Sequence, residues 1–304
     1  MEVLPNEELV KRRSYTNISL VISHCEENVG WIRDYVGNEY SIADITIYSK
    51  CGNKVEGLDI LNTIRPVEVI TLPNYGRCDH TYAYWIKEHY QTINKETSGE
   101  DIVLFLKDNS RFRGMYNTID ELFTHTSEAG FGCVKKPECD CNKICDKKRH
   151  LPTILHNREY LFDFSLDEYS RVKRDENNEF LSDKYTSLKT WINDMKFEIP
   201  QSETVPVCYA GMFAAKKKQV LNQPESVWQK MERSLSRANN IIEGHYAERV
   251  WAVILSDNTE HTAQDIDKIF LRHVKEMVKK PTDGTICGMT GMLYVRSNRK
   301  YQIW

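Results

Sequence analysis

The fold is built around Leu72-Pro-Asn-Tyr-Gly-Arg-Cys-Asp-His-Thr-Tyr-Ala-Tyr-Trp-Ile86, which joins the end of a strand to a glycine turn and a helix. Val67 to Thr71 supply the incoming strand, and residues 73–76 break it. Asp79 can cap the helix, and aromatic and apolar residues recur at helical spacing between positions 82 and 89. The pattern therefore predicts a strand, a turn and a helix in direct succession.

Arg77 stands in the glycine turn, directly before this helix. The free N–H groups of a helix start and a fixed cation would point at one place, which suits a phosphate group. Residues 102–106 then form a continuous apolar run, as expected of a central strand covered on both faces. Lys107, Asp108 and Asn109 follow at its carboxyl end, where open α/β sheets bind ligands.

Length and composition exclude several classes of protein. The chain has 304 residues, of which 40% are apolar, enough for one large α/β domain or two smaller ones. Its net charge of −3 gives no reason to expect nucleic acid or an anionic membrane as a partner. No apolar run reaches about 18 residues, so we expect no membrane span. Residues 1–8 lack the basic and apolar regions of a signal peptide.

The nine cysteines bear on the compartment. Nine is an odd number, and nine cysteines in a chain of this length do not make a disulfide scaffold. We therefore expect a reducing compartment, the cytoplasm by default. The Golgi or ER lumen is the alternative if the chain is part of a membrane-anchored enzyme, and Asn17-Ile-Ser19 would then be a glycosylation site.

A cysteine cluster lies near the middle of the chain. Four cysteines with two histidines behind them suggest a structural zinc site: Cys133, Cys139, Cys141, Cys145, His150 and His156. Their spacing lacks the paired C-x2-C units of common zinc sites. Two disulfides, in a secreted protein, and free thiols are therefore alternatives.

Strands alternate with helical patterns in the first part of the chain. Apolar runs predict four strands, at residues 18–22, 45–48, 67–71 and 102–106. Helical patterns between them predict an α/β fold, with a mostly parallel central sheet flanked by helices. The composition of residues 111–204 predicts an irregular, cysteine-containing insertion with one or two helices.

The second half of the chain supplies further elements. Residues 205–215 predict a strand or extended segment interrupted at Gly211. Residues 244–254 predict a helix with a buried stripe formed by Ala247, Val250, Trp251 and Ile254. Residues 256–304 predict an amphipathic helix and a tail. No flexible linker interrupts the sequence, so we expect one domain over residues 1–304.

These motifs together resemble the GT-A-fold glycosyltransferases. Residues 18–110, with Glu26-Glu-Asn28, Asn74-Tyr-Gly-Arg77 and Asp108, resemble the half of that fold that binds the nucleotide sugar. Residues 205–255 resemble the acceptor half. More narrowly, the chain resembles a family of uncharacterised glycosyltransferase-like proteins through Leu72-Pro-Asn74, Gly76-Arg77, His80-Thr-Tyr82, Phe105-Leu106 and Glu248-Arg-X-Trp251. About half of the chain takes part in the resemblance.

The resemblance implies transfer of a sugar from a nucleotide-diphosphate sugar to the hydroxyl of an acceptor such as a glycan. It implies that Asp108 holds a divalent cation, Mn²⁺ or Mg²⁺, and that four residues contact the donor: Glu26, Asn28, Lys50 and Arg77. The family carries an Asp-X-Asp element, whereas this chain has Lys107-Asp108-Asn109. One carboxylate with an asparagine would hold the cation with less charge.

Each candidate residue also has an ordinary structural interpretation. Arg77 is either a diphosphate clamp or a salt-bridge arginine, and Asp108 is either a metal ligand or the cap of a turn. Glu26 contacts the donor or lies in a solvated loop. Glu248 lies within helical reach of His245 and Arg249, as a general base for the acceptor hydroxyl or as part of an ion pair on a helix surface.

Three functional hypotheses follow. The leading one is a glycosyltransferase in which Arg77, Asp108 and Glu248 carry the chemistry. The main alternative is a catalytically silent GT-A-like binding protein, because the second aspartate of Asp-X-Asp is missing. The third is a nucleotidyltransferase, which would share the sheet and should offer more carboxylates around its metal.

Overall fold

The computed structural model describes residues 17–96, 100–109, 116–134, 154–164, 182, 184–201 and 204–256. We refer to these as the described residues. The predicted C-terminal helix and tail lie outside them, apart from Ser256. Cys139, Cys141 and Cys145 of the predicted zinc site also lie outside them.

The described residues contain eight strands: β1 (Asn17–His24), β2 (Ser41–Ser49), β3 (Val67–Thr71), β4 (Ile102–Lys107), β5 (Phe131–Cys133), β6 (Ile154–Asn157), β7 (Thr204–Val207) and β8 (Phe213–Lys216). All four strands predicted in the first part of the chain are present, and β1, β2 and β4 are longer than predicted. Two strands of the region predicted to be irregular, β5 and β6, were not expected.

The same part of the chain contains a 3-10 helix (Lys217–Asn222) and eight α-helices: α1 (Trp31–Val36), α2 (Leu58–Asn62), α3 (Arg77–Glu96), α4 (Ile119–Ala129), α5 (Arg158–Phe162), α6 (Leu188–Met195), α7 (Glu225–Leu235) and α8 (Ile242–Leu255). Helix α4 starts at a capping box between Thr118 and Glu121 and ends at Gly130, whose φ is +74°. None of the helices described here combines the length and apolar composition that crossing a membrane requires.

The chain is an α/β protein with a mixed six-stranded sheet in the order β3-β2-β1-β4-β8-β5. Strands β1 to β4 are parallel to one another, as predicted. Strand β8 runs antiparallel to both of its neighbours, β4 and β5, so the sheet is not parallel throughout. Strands β6 and β7 form a separate antiparallel pair.

The two central strands are covered on both faces, which explains their continuous apolar sequence. On one face Val103 and Phe105 of β4 belong to a core with α3, α7 and α8. On the other face Leu104 and Leu106 pack in a core with α1 and α4. The alternation of side chains along β4 therefore sends Lys107 toward the first face.

Helix α8 has no solvent face, because every one of its residues from Ile242 to Leu255 is buried. Its predicted stripe is confirmed, and Trp251 stacks on Trp228 with ring centroids 6.2 Å apart. Four polar residues of the helix are nevertheless enclosed: Glu243, His245, Glu248 and Arg249. Enclosed charges require partners. Glu243 accepts a hydrogen bond from Arg237 Nη2 at 2.9 Å, and the partners of the other three residues lie at the candidate site.

Four cysteines form two disulfides, Cys25–Cys51 and Cys133–Cys208, with Cα atoms 4.9 and 5.5 Å apart. The prediction that Cys133 binds zinc is therefore wrong, since a disulfide sulfur is not available as a thiolate ligand. Cys78 is the one free cysteine among the described residues, and it is buried.

Candidate functional site

The carboxyl ends of β1 and β4 meet where the winding of the sheet reverses. From β1 the chain adds β2 and β3 on one side, and β4 then pairs with the other side of β1. In open α/β sheets, the crevice outside such a reversal is the usual place for a ligand. Glu26 and Asp108 follow β1 and β4, and Arg77 begins the helix that follows β3. These three predicted residues therefore lie at the same edge of the sheet.

One carboxylate oxygen of Asp108 holds the loop after β1. Asp108 Oδ2 accepts hydrogen bonds from the N–H groups of Cys25, Glu26 and Glu27 at 2.7, 2.8 and 3.0 Å. Successive N–H groups that converge on one point form a nest, which commonly binds an anion. Here the anion is a side chain of the protein itself. We call these four residues, Cys25, Glu26, Glu27 and Asp108, the loop cluster.

The loop cluster is attached to the segment after β2 and to helix α1. The Cys25–Cys51 disulfide joins it to the segment after β2, and Asn53 Nδ2 donates to the Cys25 carbonyl at 2.9 Å. On the other side, Trp31 Nε1 donates to the Asp108 carbonyl at 2.9 Å. The Glu26 side chain is exposed, so its contact with a donor stays a prediction.

Two of the residues that were predicted to contact the donor, Asn28 and Lys50, bond to other parts of the fold. Asn28 Oδ1 accepts a hydrogen bond from the Gly30 N–H at 2.7 Å. Lys50 is buried, and its ammonium group donates to the carbonyl oxygens of Tyr75 and Arg77. Burial lowers the pKa of Lys50 to about 8. These side chains hold the loops of this edge in place, and their contact with a donor stays a prediction.

Arg77 adopts a backbone conformation that is unusual for a residue with a side chain. Its φ of +54° lies in the left-handed region, which costs an L-residue about 1–2 kcal/mol. Gly76 before it has a φ of +50°, and a Cβ atom there would lie 2.4 Å from the Leu235 carbonyl oxygen. The turn brings Arg77 Nη1 to 3.2 Å from His245 Nδ1. An arginine kept at a strained position motivates a functional hypothesis.

Charged and polar residues of α3 and α8 form a second group, which we call the helix cluster: Arg77, Asp79, His245, Glu248 and Arg249. Glu248 Oε1 accepts a hydrogen bond from the Ala210 N–H at 2.9 Å, and its Oε2 lies 3.9 Å from Arg249 Nη1. Glu248 is 8% exposed and Arg249 6%, so the interpretation as an ion pair on a helix surface is wrong. The Arg249 guanidinium also lies 3.9 Å from the centre of the Phe164 ring.

Positive charges of the helix cluster and of Lys107 keep Glu248 ionised at neutral pH. Burial acts to raise the pKa of Glu248, but the positive charges of Arg77, Arg249 and Lys107 outweigh it, and the pKa is lowered. Burial and the charge of Arg77 lower the pKa of His245 to about 4, so its imidazole is neutral. A carboxylate with a lowered pKa accepts a proton weakly, which limits Glu248 as a base.

Asp79 is a member of the site that sequence reasoning missed. Helix α3 begins at Arg77, so Asp79 lies inside its first turn and is not the cap that we predicted. The carboxylate is buried, and its Oδ1 accepts a hydrogen bond from Trp251 Nε1 at 2.7 Å. Burial raises the pKa of Asp79 to about 6, against the opposing charge of Arg77. Trp251 could have pointed to this residue in the sequence, because a buried indole N–H requires a hydrogen-bond acceptor.

The described residues contain no group of three or more His, Cys, Asp or Glu side chains suited to a metal ion. The three hydrogen bonds reach Asp108 Oδ2, so Oδ1 is the oxygen that would hold the predicted Mn²⁺ or Mg²⁺, and this cation stays a prediction. His24, at the end of β1, is 1% exposed, and neither of its ring nitrogens has a hydrogen-bond partner in the described part of the chain.

Comparison of the chain with models of protein families, with curated proteins and with solved structures finds no match.

Proposed function

We propose that the chain is a glycosyltransferase that binds a nucleotide-diphosphate sugar in the crevice outside β1 and β4. One observation carries the proposal: the loop cluster, the turn with Arg77 and the helix cluster lie at the edge where the winding of the sheet reverses. The resemblance of residues 18–110 to the donor half of GT-A glycosyltransferases supports the same class of ligand.

The proposed reaction is a displacement at the sugar carbon. The acceptor oxygen bonds to the anomeric carbon, the bond from that carbon to the phosphate oxygen breaks, and the diphosphate keeps the electron pair. Arg77 stabilises the negative charge of the departing diphosphate, and Asp108 Oδ1 would hold a cation that does the same. Glu248 takes the proton of the acceptor hydroxyl. Because the pKa of Glu248 is lowered, this proton moves late, as the new bond forms.

A silent binding protein is the second candidate, and specific contacts favour it. Asp108 Oδ2 is engaged by three N–H groups, and Glu248 is engaged by the Ala210 N–H and by arginine charge. In this candidate, both carboxylates have structural roles and no catalytic role. A nucleotidyltransferase has less support, because the carboxylate-rich metal site that it needs is not found among the described residues.

We also propose that the protein works in an oxidising compartment, such as the Golgi or ER lumen. Disulfides persist there and are rare in the cytosol, and the described residues contain two of them. The cytoplasm, which the odd number of cysteines suggested, is the less favoured alternative.

The test begins with a thermal-shift screen against nucleotides and nucleotide sugars, with and without Mn²⁺. Release of nucleoside diphosphate is then measured with the donor that binds and a panel of acceptors. We expect Glu248→Gln to keep donor binding and to lower turnover by about 10²-fold or more. Glu243→Gln is the matched control, since Glu243 is buried on the same helix but bonds Arg237 at 2.9 Å.

The outcomes separate the candidates. A parent protein that binds a nucleotide sugar but turns over none, with every acceptor tried, would support the silent binding protein. No shift with any nucleotide would contradict both candidates. Equal turnover by the parent and Glu248→Gln would remove Glu248 as the base.

A further inference from the structure

Asp108 joins two parts of the candidate site that are far apart in sequence. It follows β4, whereas the three N–H groups that it binds belong to residues 25–27, after β1. Three N–H dipoles that converge on one point repel one another unless an acceptor lies between them. The Asp108 side chain is buried, so water does not readily replace it in this role.

Asp108 is itself fixed through its own backbone N–H and carbonyl groups. Its N–H donates to the Ser23 carbonyl at 3.1 Å, and its carbonyl accepts from Trp31 Nε1 at 2.9 Å. Ser23 is the register partner of Lys107, so the bond from the Asp108 N–H to the Ser23 carbonyl extends the pairing of β1 and β4 by one residue. The position of residues 25–27 is therefore set by the central strand β4.

We propose that Asp108 is a positioning residue, whose Oδ2 shapes residues 25–27 as one wall of the site for the donor's diphosphate. The inference rests on the proposed function and deepens it, because it gives the two oxygens of one carboxylate different tasks. Oδ2 holds the loop, and Oδ1 would hold the cation. Binding groups must be held within about 0.5 Å of their productive positions, and loops rarely achieve this without such support.

The two tasks are separable by variants and by chelation. Asp108→Asn keeps a carbonyl oxygen that can accept the three N–H groups, but it removes the charge that a cation requires. Asp108→Ala removes both functions, and Asp108→Ser has a side chain too short to meet all three donors. The matched control is Asp101→Ala, at the opposite end of β4, where Oδ1 bonds the Asn17 N–H at 3.4 Å.

Two measurements are made on the full chain. The first is hydrogen exchange of the amides of residues 25–27, and the second is the affinity for a panel of nucleoside diphosphates in EDTA. We expect Asp108→Asn to behave like the parent in both. We expect Asp108→Ala and Asp108→Ser to exchange at least about 10-fold faster and to bind about 10-fold more weakly. Asp101→Ala should change neither the exchange rates of residues 25–27 nor the affinity for nucleoside diphosphates.

Addition of Mn²⁺ then tests the second oxygen. The parent should gain affinity for the diphosphate, and Asp108→Asn should lose that gain while keeping its affinity in EDTA. Exchange in Asp108→Ala at the parent rate would overturn the positioning role, and so would equal losses in the Asn and Ala variants. If the parent binds no diphosphate under any condition, the proposed function fails, and the exchange rates still decide whether Asp108 holds the loop.

Discussion

The loop cluster and the helix cluster lie at the same edge of the sheet but neutralise their charges differently. In the loop cluster, one carboxylate oxygen of Asp108 is met by three backbone N–H groups. In the helix cluster, Asp79 and Glu248 face the positive charge of Arg77, and Glu248 also faces Arg249. Backbone donors cannot turn toward a ligand, whereas arginine side chains can. The loop cluster is therefore suited to hold the shape of a site. The helix cluster is suited to turn its arginine charge toward a negatively charged substrate.

The largest effect should come from removing the acceptor at the centre of the helix cluster. Glu248→Ala leaves the Ala210 N–H without its acceptor and leaves buried arginine charge uncompensated. We expect the free energy of unfolding to fall by about 3–5 kcal/mol, measured by urea denaturation. Glu248→Gln keeps an acceptor for the Ala210 N–H, so its free energy of unfolding should fall by clearly less. A loss below about 1 kcal/mol in Glu248→Ala would show that the cluster is balanced by other groups.

The second prediction concerns pH and the other carboxylate of the helix cluster. An aspartate carboxyl in an unfolded chain has a pKa of 3.8, and burial raises the pKa of Asp79 to about 6 in the folded protein. Between these values the folded protein binds the proton and the unfolded chain does not. The stability contributed by this group is therefore complete below pH 3.8 and lost as the pH rises through 6.

Asp79→Asn removes this loss and keeps an acceptor for Trp251 Nε1. At pH 7.5 we expect the variant to be about 1–3 kcal/mol more stable than the parent, and the difference should shrink toward pH 4. Urea denaturation over this range measures it. Glu248→Gln should show a pH dependence of the opposite sign. The pKa of Glu248 is lowered from 4.5, so its carboxylate contributes stability above about pH 4.5, and this stability is lost as the pH falls. An Asp79→Asn difference that does not vary with pH would show that the group does not titrate there.

The sequence predicted the positions of the parallel strands, but it could not predict how their loops are held. Apolar runs identify β1 to β4 because the core selects them residue by residue. The acceptor of the loop cluster lies 81 residues or more from its donors, and the Trp251 to Asp79 bond spans 172 residues. No local pattern specifies such pairs. The assignment of Cys133 to zinc failed for the same reason, since its partner Cys208 is 75 residues away.

Helix α8 shows the limit of periodicity as a signal. Its apolar stripe was correctly located, yet the stripe implied a polar face open to solvent, and Glu248 is buried there. The partners that cover this face, the Ala210 N–H and the Phe164 ring stacked on Arg249, come from other segments of the chain. A helix enclosed on all sides cannot be distinguished by its sequence period from one that lies on a surface.

The smallest predicted effect tests whether Arg77 is kept for its side chain. At a φ of +54°, glycine is the residue that avoids backbone strain, while alanine keeps the strain and loses the guanidinium. Both variants lose the same electrostatic contacts with Asp79 and Glu248, so the difference between them isolates the backbone. We expect Arg77→Gly to be about 1 kcal/mol more stable than Arg77→Ala in urea denaturation, and both to bind nucleoside diphosphate more weakly than the parent. Equal stability of the two variants would show that the turn carries no strain. Undiminished diphosphate binding in both would show that the arginine serves the fold of the helix cluster and not the donor.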